Sequence, residues 1–208
     1  MSRITFILGG ARSGKSRYAE TLAQKHRGAK TYIATAEAID DEMHERIARH
    51  RQQRGEGWNT IEAPIDLVSA FHNPSFRRKP ESTVAMGPGF RRGDGTGEFI
   101  LIDCITVWIG NLMHHGRDVR AEVAALCEAL KKTKAQAVIV SNEVGLSIVP
   151  ENALARAFRD EQGLANQRLA EIADEVVFIA AGLPVILKRG SRRPAPARKV
   201  KSSRGRKA

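Results

Sequence analysis

The sequence predicts an α/β fold in which a mostly parallel sheet is flanked by helices, built as a single domain over residues 1–188. Short apolar runs rich in β-branched residues alternate along the chain with amphipathic helical stretches, which is typical of strand–helix–strand units. A glycine-rich motif, Gly9 to Ser16, stands between the first apolar run and the first helical stretch. Each helix is then expected to act as a right-handed crossover between parallel strands.

The elements follow from these patterns in chain order. The predicted strands are Ile4–Leu8, Tyr32–Ala34, Phe99–Ile102, Ala137–Val140 and Val176–Ile179. The predicted helices are Lys15–Lys25, Asp41–Gln53, Val119–Lys132 and Glu151–Ala173.

Composition supports one soluble domain, with 208 residues of which 42% are hydrophobic and 27% charged. No apolar run approaches the roughly 18 residues of a membrane span, and the start of the chain lacks a signal-peptide core, so we expect a cytoplasmic protein. Cys104 and Cys127 lie in apolar patterns without metal-ligand spacing and are expected to be packing residues.

The net charge of +11 comes almost entirely from the end of the chain. Residues 188–208 hold ten Lys or Arg and no acid, which leaves 24 basic against 23 acidic residues elsewhere. The tail, residues 189–208, is too poor in apolar residues to fold and is predicted to be disordered. A solvated extension is favoured there over a salt-sensitive anchor for RNA or DNA.

One stretch, residues 73–97, loses periodicity and fills with Gly, Pro and Arg. Within it, Pro74 to Arg78 returns in similar form as Pro88 to Arg92. A loop this long is usually functional or disordered. We expect a tolerated surface insertion, while the alternative is that its Phe and Arg pairs stack on nucleic-acid bases.

The motif fits a phosphate-binding loop of the P-loop NTPase type, with a glycine, four free positions and then Gly-Lys-Ser. Lys15 is expected to bridge the β and γ phosphates of a nucleotide, and the Ser16 hydroxyl to ligate Mg²⁺. The loop residues that cradle the phosphates are Gly9, Gly10, Ala11, Arg12, Ser13, Gly14, Lys15 and Ser16.

An acidic partner for the metal is expected at the carboxyl end of a second central strand. Asp103 follows the apolar run Phe99–Ile102 and fits that position. The alternative is that Asp103 only caps a helix that begins near Ile105.

The predicted helix Asp41–Gln53 carries a second candidate for catalysis. Helical spacing puts Arg46, His50 and Arg54 on one side, and turns His44 well away. Neighbouring positive charge favours the neutral imidazole, which is the nucleophilic form, and arginines can hold a triphosphate in line. On these residues alone, a solvated surface histidine is the favoured interpretation of His50.

Taken together, these motifs resemble the bifunctional adenosylcobinamide kinase and adenosylcobinamide-phosphate guanylyltransferase family, over about residues 3–188. The residues that carry the resemblance are Gly9 to Arg17, Tyr32 to Ala36, Asp40 to Met43, Arg46 to Arg51, Arg54 to Trp58, Leu101 to Cys104, Ser141 to Gly145, Ile148 to Asn152, Phe158 to Asp160 and Asn166-Gln167.

The resemblance implies a RecA-like fold, a trimeric assembly and two reactions. The first phosphorylates the aminopropanol hydroxyl of adenosylcobinamide with ATP or GTP, and the second adds GMP from GTP, with Mg²⁺ implied for both. It also implies that His50 carries the GMP as a covalent intermediate. The positions similar to the family's nucleotide site, beyond the loop, are Ala34, Thr35, Ala36, Arg51, Arg54, Glu62 and Asp103.

The resemblance also suggests candidates for contacts with the corrinoid substrate, although polar residues at such places more often cap helices or form ion pairs. These candidates are Asn142, Glu143, Asn152, Arg159 and Asn166. A rival hypothesis is a nucleotide-switched protein that binds nucleic acid through its basic tail, which the near-neutral body makes the weaker of the two.

Overall fold

The computed structural model of the chain describes residues 3–37, 57–71 and 97–190. Seven strands in these parts form one sheet. They are β1 (Ile4–Gly9), β2 (Lys30–Ala34), β3 (Trp58–Glu62), β4 (Phe99–Asp103), β5 (Gln136–Val140), β6 (Glu175–Ala180) and β7 (Leu183–Lys188).

The described helices lie between these strands in the chain. They are α1 (Lys15–Gln24), α2 (Leu67–Ala70), α3 (Ile105–His114), α4 (Val119–Lys132) and α5 (Ala153–Ile172). The strand order across the sheet is β3-β2-β4-β5-β1-β6-β7, and all neighbouring pairs except β6 and β7 run parallel. This arrangement confirms the predicted α/β fold with a mostly parallel sheet.

The core lies on both faces of the sheet, because a central parallel strand is covered by helices on each side. All six residues of β1 are buried, and alternate residues face opposite layers. Phe6 and Leu8 join the cluster that includes α3, α4 and α5, whereas Ile7 joins the cluster beside α1. The continuous apolar runs seen in the sequence are the consequence of this double burial.

Two strands were not predicted, and both lie at edges of the sheet. β3 is a short, half-exposed segment that pairs only with β2. β7 contains a proline and has six exposed residues, and it pairs with β6 through a two-residue turn at Ala181 and Gly182. The positive φ angles of those two residues, 50° and 81°, are those of a tight hairpin turn.

Both cysteines are free and pack as expected. Cys127 lies in one buried cluster and Cys104 packs against the other. The predicted helix Asp41–Gln53, nearly all of the predicted insertion at 73–97 and nearly all of the tail at 189–208 lie outside the described residues. Among the helices that are described, none has the length and apolar content needed to cross a membrane.

Candidate functional site

The glycine-rich motif forms a tight loop between β1 and α1. Gly9 must be a glycine, because a Cβ there would lie 2.4 Å from the Ile179 carbonyl oxygen and 2.7 Å from Ser13 Oγ. Gly14 has a φ of 100° and Arg12 a φ of 53°, both in the left-handed region that favours glycine. The backbone therefore curls back on itself over a few residues, and the Ser13 amide donates a hydrogen bond to the Gly10 carbonyl at 3.3 Å.

The amino end of α1 faces this loop. Its N-cap is Gly14, which supplies no side-chain hydrogen bond to the first amides of the helix. Those amides and the positive end of the helix dipole are suited to phosphate oxygens. The loop thus has a form that suits an anion.

Lys15 is folded into the same cradle. Its side chain is buried, and its Nζ donates a hydrogen bond to the Gly10 carbonyl oxygen at 2.6 Å. Burial lowers the pKa of Lys15, while the nearby Cys104 and Asp103 act in the opposite direction. A phosphate group in the loop would give this buried ammonium group the anionic partner that offsets its desolvation.

Asp103 lies close to the phosphate loop, although β5 separates its strand, β4, from β1. Ser16 Oγ donates a hydrogen bond to Asp103 Oδ2 at 3.2 Å, and the Tyr32 hydroxyl donates to the same oxygen at 3.3 Å. The following helix, α3, has Cys104 at its N-cap with no side-chain cap, and the described hydrogen bonds of the Asp103 side chain go to Ser16 and Tyr32 rather than to the helix end. Tyr32 was not predicted as a site residue, although it lies two residues before Ala34 on the same face of β2.

A carboxylate and a hydroxyl at this separation fit Mg²⁺, which prefers oxygen ligands and is usually held by one or two protein groups together with substrate phosphates and water. No cluster of three or more His, Cys, Asp or Glu that could hold a metal occurs within residues 3–37, 57–71 and 97–190. The Cys104 thiol is not a reactive alternative, because burial and then the charge of Asp103 raise its pKa to about 11.

The strand register aligns the other predicted site positions. Ala34 lies opposite Asp103 on one side of β2 and opposite Glu62 on the other, while Val140 lies opposite both Asp103 and Ile7. Glu62, Ala34 and Asp103 therefore stand in one row at the carboxyl edge of the sheet, and Asp103 is the member of the row nearest to the phosphate loop. With strands about 4.8 Å apart, Glu62 is roughly 19 Å from β1, which is too far for contact with the same phosphates.

Thr35, the residue after Ala34, has a hydroxyl that bonds to the backbone of Cys104. Its hydroxyl donates to the Cys104 carbonyl and accepts from the Cys104 amide, both at 2.8 Å. Asn111 of α3 donates to the Thr35 carbonyl at 2.8 Å, and this buried residue gave no sequence signal. Ala36 lies in the same described loop, whereas His50, Arg51 and Arg54 lie outside the described residues.

The side chains of four of the five corrinoid candidates make contacts within the chain. Asn152 caps α5 by accepting from the Leu154 amide at 2.7 Å, and Arg159 pairs with Asp160 at 3.3 Å. Asn166 is buried and donates to the Asn142 carbonyl at 3.1 Å, and Glu143 Oε1 accepts from the Gly145 amide at 2.7 Å. Asn142 and Glu143 follow β5 at the carboxyl edge, between the strands that carry the loop and Asp103.

Comparison with known proteins gives a consistent result. The family profile described as cobinamide kinase / cobinamide phosphate guanyltransferase matches residues 5–84 and 77–187, and the change from one segment to the other falls within the predicted insertion. The bifunctional adenosylcobalamin biosynthesis protein CobP of Pseudomonas aeruginosa is 41% identical over 184 residues, covering 88% of this chain and 95% of that protein. The corresponding CobU protein of Escherichia coli is 37% identical over 200 residues, covering 88% and 98%.

A solved structure from Pyrococcus horikoshii is similar in fold. It has a TM-score of 0.51 at 8% sequence identity, covering 90% of this chain and 86% of that one. At that identity the likeness concerns the fold alone, and it agrees with the α/β arrangement expected from the sequence.

The clash at Gly9 gives a direct test of the cradle. Gly9→Ala is expected to weaken Mg·GTP binding at least about tenfold, because its methyl group would push the loop away from Ile179. Gly163→Ala is the control, since that helical glycine has open space around it and alanine favours a helix. Isothermal titration calorimetry measures both; equal affinity in the two variants would contradict the tight-loop geometry.

Proposed function

The chain belongs to the cobinamide kinase / cobinamide phosphate guanyltransferase family, and from that premise we propose that it phosphorylates adenosylcobinamide and then attaches GMP to the phosphate. In the first step the aminopropanol hydroxyl oxygen attacks the γ-phosphorus of ATP or GTP. The bond to the β-phosphate oxygen breaks, the nucleoside diphosphate leaves and the hydroxyl proton is released.

The second step proceeds through a covalent intermediate. A neutral imidazole nitrogen of His50 attacks the α-phosphorus of GTP, and pyrophosphate leaves as the nitrogen–phosphorus bond forms. A phosphate oxygen of the corrinoid then attacks the same phosphorus, the bond to His50 breaks and adenosylcobinamide-GDP is released. Splitting one transfer into two displacements is the usual advantage of nucleophilic catalysis.

The observation that carries this proposal is the meeting of the phosphate loop and Asp103 at one edge of the sheet, with Ser16 Oγ 3.2 Å from Asp103 Oδ2. Loop amides and the Lys15 ammonium group would hold the phosphates and offset their charge, which is most of what a protein contributes to phosphoryl transfer. Mg²⁺, held by Ser16 and by Asp103, would neutralise further charge on the phosphate oxygens when bound. Glu62, at the far end of the row, is suited by its distance to the base or ribose of the nucleotide.

The corrinoid is proposed to bind beside α3. A cavity of about 640 Å³ opens between the end of α3 and the start of α5, with walls that include Gly110, Met113, Leu154 and Phe158. It lies one helical turn beyond Thr106, which is itself three residues after Asp103. A largely apolar hollow there suits one side of a large macrocycle.

We also propose a homotrimer in the cytoplasm. Two segments carry exposed apolar side chains. Leu183 and Leu187 of β7 are 68% and 61% exposed, and Ile148, in the segment after β5, is 94% exposed. Exposed apolar surface of this extent is typical of subunit contacts. The rival hypothesis of nucleic-acid binding depends on the tail and on the 73–97 segment, and the described residues add nothing in its favour.

The covalent step can be tested by trapping. Protein incubated with GTP labelled at the α-phosphate should keep the label through denaturation and lose it in acid, as expected for a nitrogen–phosphorus bond. His50→Ala should abolish the labelling, whereas His44→Ala, on the other side of the predicted helix, should retain it. Equal labelling of the His50 variant would remove that residue from the role.

The metal site predicts a specific dependence on Mg²⁺. Ser16→Ala should raise the Mg²⁺ concentration needed for half-maximal kinase activity by about tenfold or more, because a ligand is lost while Asp103 remains. Thr21→Ala is the matched control, since that hydroxyl on the same helix bonds only to the Tyr18 carbonyl among the described contacts. An Mg²⁺ titration in which the two variants coincide would contradict the assignment.

The trimer proposal rests on the exposed strand β7. Replacing Val185 and Leu187 together with glutamate should shift the mass measured by light scattering from three chains toward one, because charge at an apolar contact is costly to bury. Replacing the exposed residues Arg120 and Lys131 with alanine changes the net charge by the same two units and provides a charge-matched control away from β7. A wild-type monomer would contradict the proposal outright.

A further inference from the structure

A group of buried polar side chains lies directly behind the proposed nucleotide site, and the mechanism above does not use it. Ser141 and Gln162 are fully buried, Asn166 is 5% exposed and Thr106 is 9% exposed. They come from three elements: the residue after β5, the helix α5 and the first turn of α3. We call these four residues the edge network.

The hydrogen bonds of the edge network have a determined direction. Ser141 Oγ donates its single proton to Asn166 Oδ1 at 2.8 Å and accepts from Gln162 Nε2 at 2.9 Å. Thr106 Oγ1 lies 3.4 Å from Ser141 Oγ, and it must be the donor of that longer contact because the serine proton is already used. Gln162 Nε2 also donates to Asn166 Oδ1 at 2.9 Å.

These directions leave two groups free to hold the backbone at Asn142. Thr106 Oγ1 accepts from the Asn142 amide at 2.7 Å, and Asn166 Nδ2 donates to the Asn142 carbonyl at 3.1 Å. The peptide groups on both sides of Asn142 are therefore fixed by side chains. Immediately afterwards, the Glu143 amide donates to the carbonyl of Gly9 at 3.0 Å, at the first residue of the phosphate loop.

The network thus connects the two halves of the nucleotide site. Thr106 belongs to the helix that begins directly after Asp103, and the fixed segment 141–143 is bonded to the phosphate loop. β5 lies between β1 and β4, so the segment that follows it stands between Gly9 and Asp103. Misplacement of reacting groups by about 1 Å can cost on the order of a hundredfold in rate.

Stability alone does not account for these residue types. Gln162 Oε1 is buried and accepts no hydrogen bond from the described residues, which is unfavourable for folding. An apolar residue of similar volume would avoid that cost. The glutamine is better explained by its two donated hydrogen bonds, which orient Ser141 and Asn166.

We propose that Thr106, Ser141, Gln162 and Asn166 are positioning residues, which hold the segment 141–143 so that the phosphate loop and Asp103 keep the spacing that phosphoryl transfer requires. The expected effect on catalysis rests on the proposed function. The expected effect on the backbone of residues 141–143 rests on the hydrogen bonds alone. The proposal predicts that weakening the network lowers turnover more than nucleotide binding, because the phosphate cradle itself stays intact.

The test uses a pair of near-isosteric variants in the full-length protein. Thr106→Val removes the hydroxyl that accepts from the Asn142 amide, whereas Thr106→Ser keeps it. Thr31→Val is the matched control, because that threonine of β2 is also buried and its hydroxyl donates to Glu98 Oε1 at 3.0 Å, away from the edge network. Gln162→Met removes the two donated hydrogens by an independent route.

Thr106→Val and Gln162→Met should each lower kcat of the kinase reaction by about tenfold or more, with KM for the nucleotide changed less than about threefold. Thr106→Ser and Thr31→Val should stay within about twofold of the wild type. Hydrogen–deuterium exchange of the peptide spanning 141–145 should be faster in Thr106→Val and Gln162→Met only, at comparable thermal midpoints.

Wild-type kcat in both network variants, or an equal loss in Thr31→Val, would overturn the proposal. Unchanged exchange at 141–145 would overturn it even if the rates fell. If the wild-type protein catalyses neither reaction, while exchange at 141–145 is still faster in Thr106→Val and Gln162→Met only, the proposed function is contradicted and the structural role of the network is supported.

Discussion

The contact between Ser16 and Asp103 is the constraint on which the rest of the site depends. It joins the first turn of α1 to the end of β4 across an intervening strand, with 3.2 Å between the two oxygens. The contact is possible because the parallel register sets Asp103 and Ile7 level with the same residue, Val140. A slip of one residue in the β4–β5 pairing would turn the Asp103 side chain to the other face.

The phosphate loop contains features that are unfavourable for the stability of the fold. A lysine is buried with a backbone carbonyl as its hydrogen-bond partner, and Arg12 has a left-handed backbone. Such features are common where a protein is organised to bind charge rather than to maximise stability. The buried edge network behind the loop has the same character, since its polar groups are arranged to orient one another and the backbone of Asn142.

Much of this could be predicted from the sequence, for identifiable reasons. The central strands are apolar on both faces, so runs such as Ile4–Leu8 and Phe99–Ile102 stand out, and the loop motif is specific in its strand-to-helix context. β3 was missed because it is a half-exposed edge strand without an apolar run, whereas β7 is an exposed apolar segment with a proline at its second position, which disfavours a strand in the sequence pattern. Tyr32, Thr106 and Asn111 were not predicted as site residues because their partners are distant in sequence, and only the strand register brings them together.

In the proposed mechanism, one edge of the sheet binds the nucleotide and His50 reaches the same nucleotide. The most direct measurement is a crystal structure with Mg²⁺ and a GTP analogue that resists cleavage between the α- and β-phosphates. We expect phosphates in the loop of residues 9–16 and an imidazole nitrogen of His50, from the same subunit or a neighbouring one, about 3–3.5 Å from the α-phosphorus. An imidazole far from the α-phosphorus in every subunit, or a nucleotide bound away from the loop, would contradict it.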